Sequence, residues 1–200
     1  MVIRRMFPGR RSIRLQGFDY SQPGCYFLTI CSVERKCIFG SIENGQPKES
    51  ALGQIIRACW LRIPNHFPAV ETDAFVIMPN HLHGILNIKK HASGHDGPNR
   101  EAFSSPTFAS IPTIVRTFKA GVTRLARQRG QWSGGAIWQR NYFERVIRNG
   151  EEYADTCRYI AENPLQWELD EDHPAAILSR GGPPRLRRRG TIYRAPTDRD

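Results

Sequence analysis

The chain has 200 residues, 40% of them hydrophobic, and 29 Lys and Arg against 19 Asp and Glu leave a formal net charge of +10. That length supports one compact domain with its own core, and that charge suits a polyanionic partner, nucleic acid first, better than an acidic or neutral one. No apolar run approaches the ~18 residues of a spanning helix and the N-terminus lacks the apolar stretch of a secretory signal, so the expectation is a cytoplasmic protein with no membrane partner.

Arginine is concentrated at the ends. Arg4, Arg5, Arg10, Arg11 and Arg14 precede the first acidic residue, and "RGGPPRLRRRGTIYRAPTDRD" holds seven Arg against two Asp. Residues 1–13 therefore read as a basic arm, 14–175 as the folded domain and 176–200 as a basic tail that wraps phosphates through residues such as Arg187, Arg188 and Arg189; composition alone equally allows a solubilising tail. Five cysteines, Cys25, Cys31, Cys37, Cys59 and Cys157, form no C-x-x-C pair and are odd in number. They read as reduced core residues rather than a disulfide framework or a zinc finger.

The first element is "GCYFLTICSV", rich in aromatic and β-branched residues and so a strand; "CIFGSIENGQPK" continues as a hairpin turning at Asn44-Gly45. In "SALGQIIRACWLRIPNHF" the apolar positions Leu52, Ile55, Ile56, Cys59, Trp60 and Ile63 recur at helical spacing, with Pro64 as the stop. "AFVIM" and "LHGILNI" flank Pro79-Asn80, a pair suited to a tight turn, and predict an antiparallel hairpin. Residues 90–110 show no period and read as a long surface loop, with His91 and His95 solvated.

A second helix is expected from about Ser110 to Arg129, its stripe running through Ile111, Ile114, Val115, Phe118, Val122 and Leu125 while Arg116, Lys119, Arg124 and Arg127 fall largely outside it. "AIWQRNYFERVI" is a further strand candidate, and "NGEEYADTCRYIAENP" a third helix with Asn149 as N-cap and Pro164 as terminator. This order is a split βαβ pattern with an added C-terminal helix. The fold class predicted is α+β, an antiparallel sheet with helices on one face and the other face open to a ligand.

The chemistry sits in "DAFVIMPNHLHGILNI". Side chains alternate along a strand, so His81 and His83 share a face, with Cα atoms roughly 6 to 7 Å apart, while Leu82 points to the core. Two imidazoles at that spacing can converge on one cation, although paired surface histidines also occur without a metal. On the third helix Tyr159 and Asn163 are four residues apart and share a face. A tyrosine can attack a phosphodiester while a divalent cation polarises the phosphate oxygens. The same pattern also allows a plain C-cap at Asn163, before Pro164, and an interfacial aromatic at Tyr159.

"FVIMPNHLHGIL", followed some 55 residues later by "IWQRNYFERVIRNGEEYADTCRYIAENP", resembles the single-tyrosine HUH transposases, most closely the REP-associated tyrosine transposases. The resemblance covers about residues 14 to 170 and includes the entry segment "RLQGFDYSQPGCYFLTICSVERKCIFG". It implies a ferredoxin-like fold and an HUH endonuclease that cuts and rejoins single-stranded or hairpin DNA, including REP-type palindromes, through a covalent 5′-phosphotyrosine. By the same resemblance Tyr159 is the nucleophile, and His81, His83 and Asn163 hold Mg²⁺ or Mn²⁺. Arg116, Lys119, Arg124 and Arg127 become backbone contacts, and the protein works as a monomer or homodimer. Tyr142, in "RNYFER", has Val146 rather than a carboxamide or histidine at i+4 and is rejected as nucleophile. Two other readings predict different behaviour: a metal-dependent nuclease using activated water forms no covalent adduct, and a non-catalytic RRM-like module needs no metal.

Overall fold

The computed structural model describes residues 19, 21–89, 110–170 and 172–179. The proposed N-terminal arm, most of the 90–110 loop with His91 and His95, and Arg187, Arg188 and Arg189 of the tail lie outside the described residues.

Among the described residues six strands form two sheets. Strand β1 (Gly24–Cys31) leads through a 3-10 turn, Val33–Arg35, into the hairpin β2 (Gly40–Glu43) and β3 (Gln46–Glu49). Asn44 and Gly45 both take positive φ, 52° and 71°, which matches the right-handed twist of a two-residue hairpin. This hairpin is a separate two-stranded sheet. The main sheet has the order β4-β5-β1-β6, with β4 at Val70–Ile77, β5 at His81–Ile88 and β6 at Phe143–Ile147. Its three pairings are all antiparallel. With helix α1 (Ala51–Leu61) joining β1 to β4 and helix α3 (Ile111–Gln128) joining β5 to β6, this is the expected split βαβ arrangement.

The hydrophobic pattern divides by face. Tyr26, Leu28, Ile30, Leu82 and Leu86 point to one side of the sheet, where α1 contributes Ile56 and Trp60 and α3 contributes Ile114, Phe118 and Val122. Phe27, Val76 and Ile85 point to the other side, against Ile160 of helix α4 (Gly150–Glu162) and Trp167 of the 3-10 helix Asn163–Leu169. The second face was expected to be open, but the apolar positions of α4 cover it. A functional site on that face therefore lies between sheet and helix.

Other boundaries shift for local reasons. Helix α1 ends at Leu61, and Pro64 stands inside the short helix α2 (Ile63–His66), in a first-turn position where its missing N–H costs no hydrogen bond. Pro164 likewise sits near the start of the 3-10 helix after α4, so the chain turns on instead of stopping. Of "AIWQRNYFERVI" only Phe143–Ile147 is strand; Trp138 makes an isolated bridge to Ser32. The five cysteines are free, with Cys31 buried but Cys37 exposed, so not all of them are core residues.

Gly84 in β5 faces the fully buried Trp60. A Cβ there would lie 2.4 Å from a carbon of the Trp60 indole. Gly84→Ala is expected to lower the unfolding free energy by about 1–3 kcal/mol, measured as a lower urea midpoint; an unchanged midpoint would show that Trp60 yields without cost.

Candidate active site

The site is assembled from β1, β5 and the C-terminal end of α4. In the β1–β5 register Thr29 faces His83 and Cys31 faces His81. Pleating sends both imidazoles to the α4 side, their centroids 4.4 Å apart, while Leu82 enters the first core. His81 is 0% exposed and His83 4%, and Phe27 stacks on the His83 ring at 5.3 Å. Helix α4 starts at Asn149, whose side chain accepts from the Glu152 amide, and it delivers Tyr159 to the same place. The Tyr159 hydroxyl lies 3.2 Å from Nε2 of His83, and Thr29 Oγ1 lies 2.9 Å from Nδ1 of the same ring.

Asn163 follows one helical turn after Tyr159 and is buried. Its amide nitrogen donates to Asp170 at 3.2 Å, whereas its Oδ1 is buried with no partner, as is Nε2 of His81. The Asn163 carboxamide is near enough to His81 to favour its charged form slightly, without completing a hydrogen bond to that nitrogen. A buried carbonyl oxygen and a buried imidazole nitrogen left without partners are costly unless something binds them. Among the described residues no group of three His, Cys, Asp or Glu is placed to hold a metal ion. A cation here would therefore take imidazole nitrogen and carboxamide oxygen together. That donor set leaves the remaining coordination positions of a divalent cation to oxygen from water or phosphate.

Burial keeps both histidines neutral, as metal ligands must be. Desolvation, helped by the nearby Arg35 guanidinium, pushes His81 down to about 3. His83 is also driven well below the usual histidine range, by burial first and then by His81. Between the folded value and the ordinary 6.5 the unfolded chain binds the extra proton, so stability is complete above 6.5 and falls as the pH drops. We expect a loss of roughly 1.4 kcal/mol per pH unit for each histidine below pH 6.5. Urea titrations from pH 7 to 5 should show this slope in the wild type and not in the His81→Ala, His83→Ala variant.

The basic residues of α3 are on the opposite side of the sheet from the histidines. Arg116, Arg124 and Arg127 are exposed. Arg124 and Arg127 line an open cleft of about 670 Å³, walled on the other side by Trp138, Gln139 and Arg140. Lys119 differs from these: its ammonium donates to the carbonyls of Gln139 at 2.8 Å and Asn141 at 3.2 Å, and it lies over the Tyr142 ring at 5.7 Å. Tyr142 thus packs against the first core, away from His83. Sequence reading missed Asn80, Arg35, Asp170 and Asp172, which surround the histidines; Asn80 was read only as a turn residue, and the other three carried no periodic signal.

No family model matches the chain. An uncharacterized protein of Haemophilus influenzae (strain ATCC 51907 / DSM 11121 / KW20 / Rd) is 42% identical over 167 residues, covering 81% of this chain and 92% of the relative. A second protein of the same strain, described as a "Putative REP-associated tyrosine transposase", is 27% identical over 192 residues, covering 87% of this chain and 97% of its own length. The solved structure of a REP-associated tyrosine transposase bound to a REP hairpin superposes with a TM-score of 0.54 over 86% of this chain and 88% of that one, at 20% identity. The chain is thus similar to the REP-associated tyrosine transposases, in sequence through the second relative and in fold through that structure. At 20% identity, the likeness to the solved REP-associated tyrosine transposase speaks for the fold alone: a mixed antiparallel sheet with helices. Among the described residues, no helix is long and apolar enough to cross a membrane.

Proposed function

We propose that this chain binds hairpin or single-stranded DNA and cleaves and rejoins it through a covalent 5′-phosphotyrosine on Tyr159. The observation that carries this reading is the meeting of the Tyr159 hydroxyl with His83, 3.2 Å apart, beside the unpartnered donor atoms of His81 and Asn163. The neighbour in the fold comparison was solved with a REP hairpin, which supports the same substrate class.

His81, His83 and Asn163 would hold Mg²⁺ or Mn²⁺, which when bound polarises the non-bridging oxygens of the scissile phosphate. Tyr159 supplies the nucleophile: its oxygen forms a bond to phosphorus, the bond from phosphorus to the 3′ oxygen breaks, the phenol proton is lost to solvent, and a 3′-hydroxyl is freed. Attack by a 3′-hydroxyl on the phosphotyrosine reverses these steps and joins strands. Phe27, packed edge-on to the Tyr159 ring at 6.0 Å and stacked on His83, restrains both rings and excludes water from one side.

The exposed Arg116, Arg124 and Arg127 are assigned to phosphate contacts, and the tail arginines Arg187, Arg188 and Arg189 extend the same role. Lys119 is better placed as a strut, since two of its three ammonium protons go to backbone carbonyls. In DNA-binding titrations across salt, Arg124→Ala and Arg127→Ala should each reduce the log–log slope by about 1, whereas Lys119→Met leaves it unchanged. Equal slopes in all three variants would remove α3 from the interface. The defining test of the reaction is transfer of a 3′-terminal label from a cut strand to the protein; cutting without transfer would point to activated water instead.

A further inference from the structure

Asn80 is 0% exposed, although a turn residue is ordinarily solvated. Its amide nitrogen donates to two backbone carbonyls, Arg35 O at 3.0 Å and Asp172 O at 2.6 Å. Both acceptors lack protons, so a flipped carboxamide would set oxygen against two oxygens. The orientation of Asn80 is therefore determined by its own partners and not by the histidine.

That leaves Asn80 Oδ1 facing Nδ1 of His81 at 2.8 Å. An amide oxygen only accepts, so Nδ1 must carry the proton. The next group facing this nitrogen, the Asp172 carboxylate at 3.9 Å, is also an acceptor. A neutral imidazole has one N–H, so Nε2 keeps its lone pair, and Nε2 is the buried atom that has no partner.

We infer that Asn80 is a positioning residue of the site, fixing His81 as the Nδ1–H tautomer so that its Nε2 lone pair is presented for coordination before any cation arrives. The inference rests on the proposed reading of His81 as a metal ligand. Its anchor comes from a distant part of the chain. Asp172 binds Asn80 through its backbone and pairs its carboxylate with the buried Arg35, while the Asp172 amide donates to Asp170, the same carboxylate that takes the Asn163 amide proton. The segment after α4 thereby orients both unpartnered donors, His81 through Asn80 and Asn163 through Asp170. Outer hydrogen bonds of this kind raise metal affinity by holding ligands in the correct tautomer and direction.

The test uses full-length protein labelled with ¹⁵N-histidine, free of metal, in long-range ¹H–¹⁵N spectra, together with Mn²⁺ titration followed by electron paramagnetic resonance. Wild-type His81 should appear as the Nδ1–H tautomer. In Asn80→Ala that tautomer should give way to a mixture and the Mn²⁺ dissociation constant should rise about 10- to 100-fold. Asn80→Asp keeps an acceptor facing Nδ1 but sets its second oxygen against the Arg35 and Asp172 carbonyls, so it should lower the unfolding midpoint while retaining the Nδ1–H tautomer and binding Mn²⁺ more tightly than the alanine variant. An Nε2–H tautomer in the wild type overturns the inference, as do equal losses in the alanine and aspartate variants, which would mark Asn80 as structural only. Should Asn80→Ala fail to fold, the wild-type and Asn80→Asp tautomers decide. If the wild type shows the Nδ1–H form yet takes up no Mn²⁺, the metal reading of His81 falls while the tautomer assignment stands.

Discussion

Tyr159→Phe is expected to abolish both the covalent protein–DNA adduct and nicking, by on the order of 10³-fold or more. The substitution removes one oxygen. The ring contacts with Phe27 at 6.0 Å and His83 at 5.1 Å involve the aromatic carbons and persist. The lost hydrogen bond to His83 costs about 1 kcal/mol of stability, so a folded protein with near-normal DNA affinity should remain. Incubation with a 3′-labelled single strand spanning the cut site reads the outcome directly: label on the protein in the wild type, none in the variant. Tyr142→Phe is the control, because that ring is partly buried against the first core beneath Lys119. An adduct that survives Tyr159→Phe and disappears in Tyr142→Phe would reassign the nucleophile. Nicking without adduct in every variant would transfer the reaction to water.

The second large effect is metal dependence. Cleavage should stop in excess chelator and return with Mg²⁺ or Mn²⁺, and the His81→Ala, His83→Ala variant should match the chelated wild type with or without added metal. Both side chains are buried, so each truncation costs on the order of 1–3 kcal/mol. Leu82 still fills the opposite core, and thermal melting recorded beside the assay separates a dead site from an unfolded one. Full cleavage in chelator would remove the metal from the reaction.

Much of the architecture was legible because period-2 and period-3.6 patterns report burial directly. The alternation around Leu82 placed His81 and His83 on one face, and the stripe from Ile111 to Val122 located α3. Proline told half of the story: α1 and α4 do end just before Pro64 and Pro164, yet each proline then sits in the first turn of a further short helix, where the chain has no hydrogen bond to lose. The covering of the second face was only half visible, since the apolar residues of α4 were read but not the consequence of docking them. The polar surroundings of the histidines could not be read at all. Asn80 and Asp172 are 92 residues apart and meet through a backbone carbonyl, a contact that leaves no mark on side-chain periodicity. Lys119 was grouped with its arginine neighbours by charge; only geometry shows that two of its three ammonium protons go to backbone carbonyls.

The division of the molecule by its sheet sets a footprint for the substrate. The Arg124 and Arg127 cleft lies behind the sheet with α3, and the Tyr159 hydroxyl lies in front of it beneath α4. Layers of helix, sheet and helix are packed at about 10 Å spacing, so a strand that touches both must run some 20 Å around the edge of the domain, on the order of six nucleotides at 3.4 Å each. The bridge between Ser32 and Trp138, next to Cys31 in β1, marks the end of the sheet at which cleft and histidines approach each other. On the proposed reading, an oligonucleotide shorter than this span can occupy the catalytic face or the basic cleft but not both, and so loses the chelate advantage of engaging the two together.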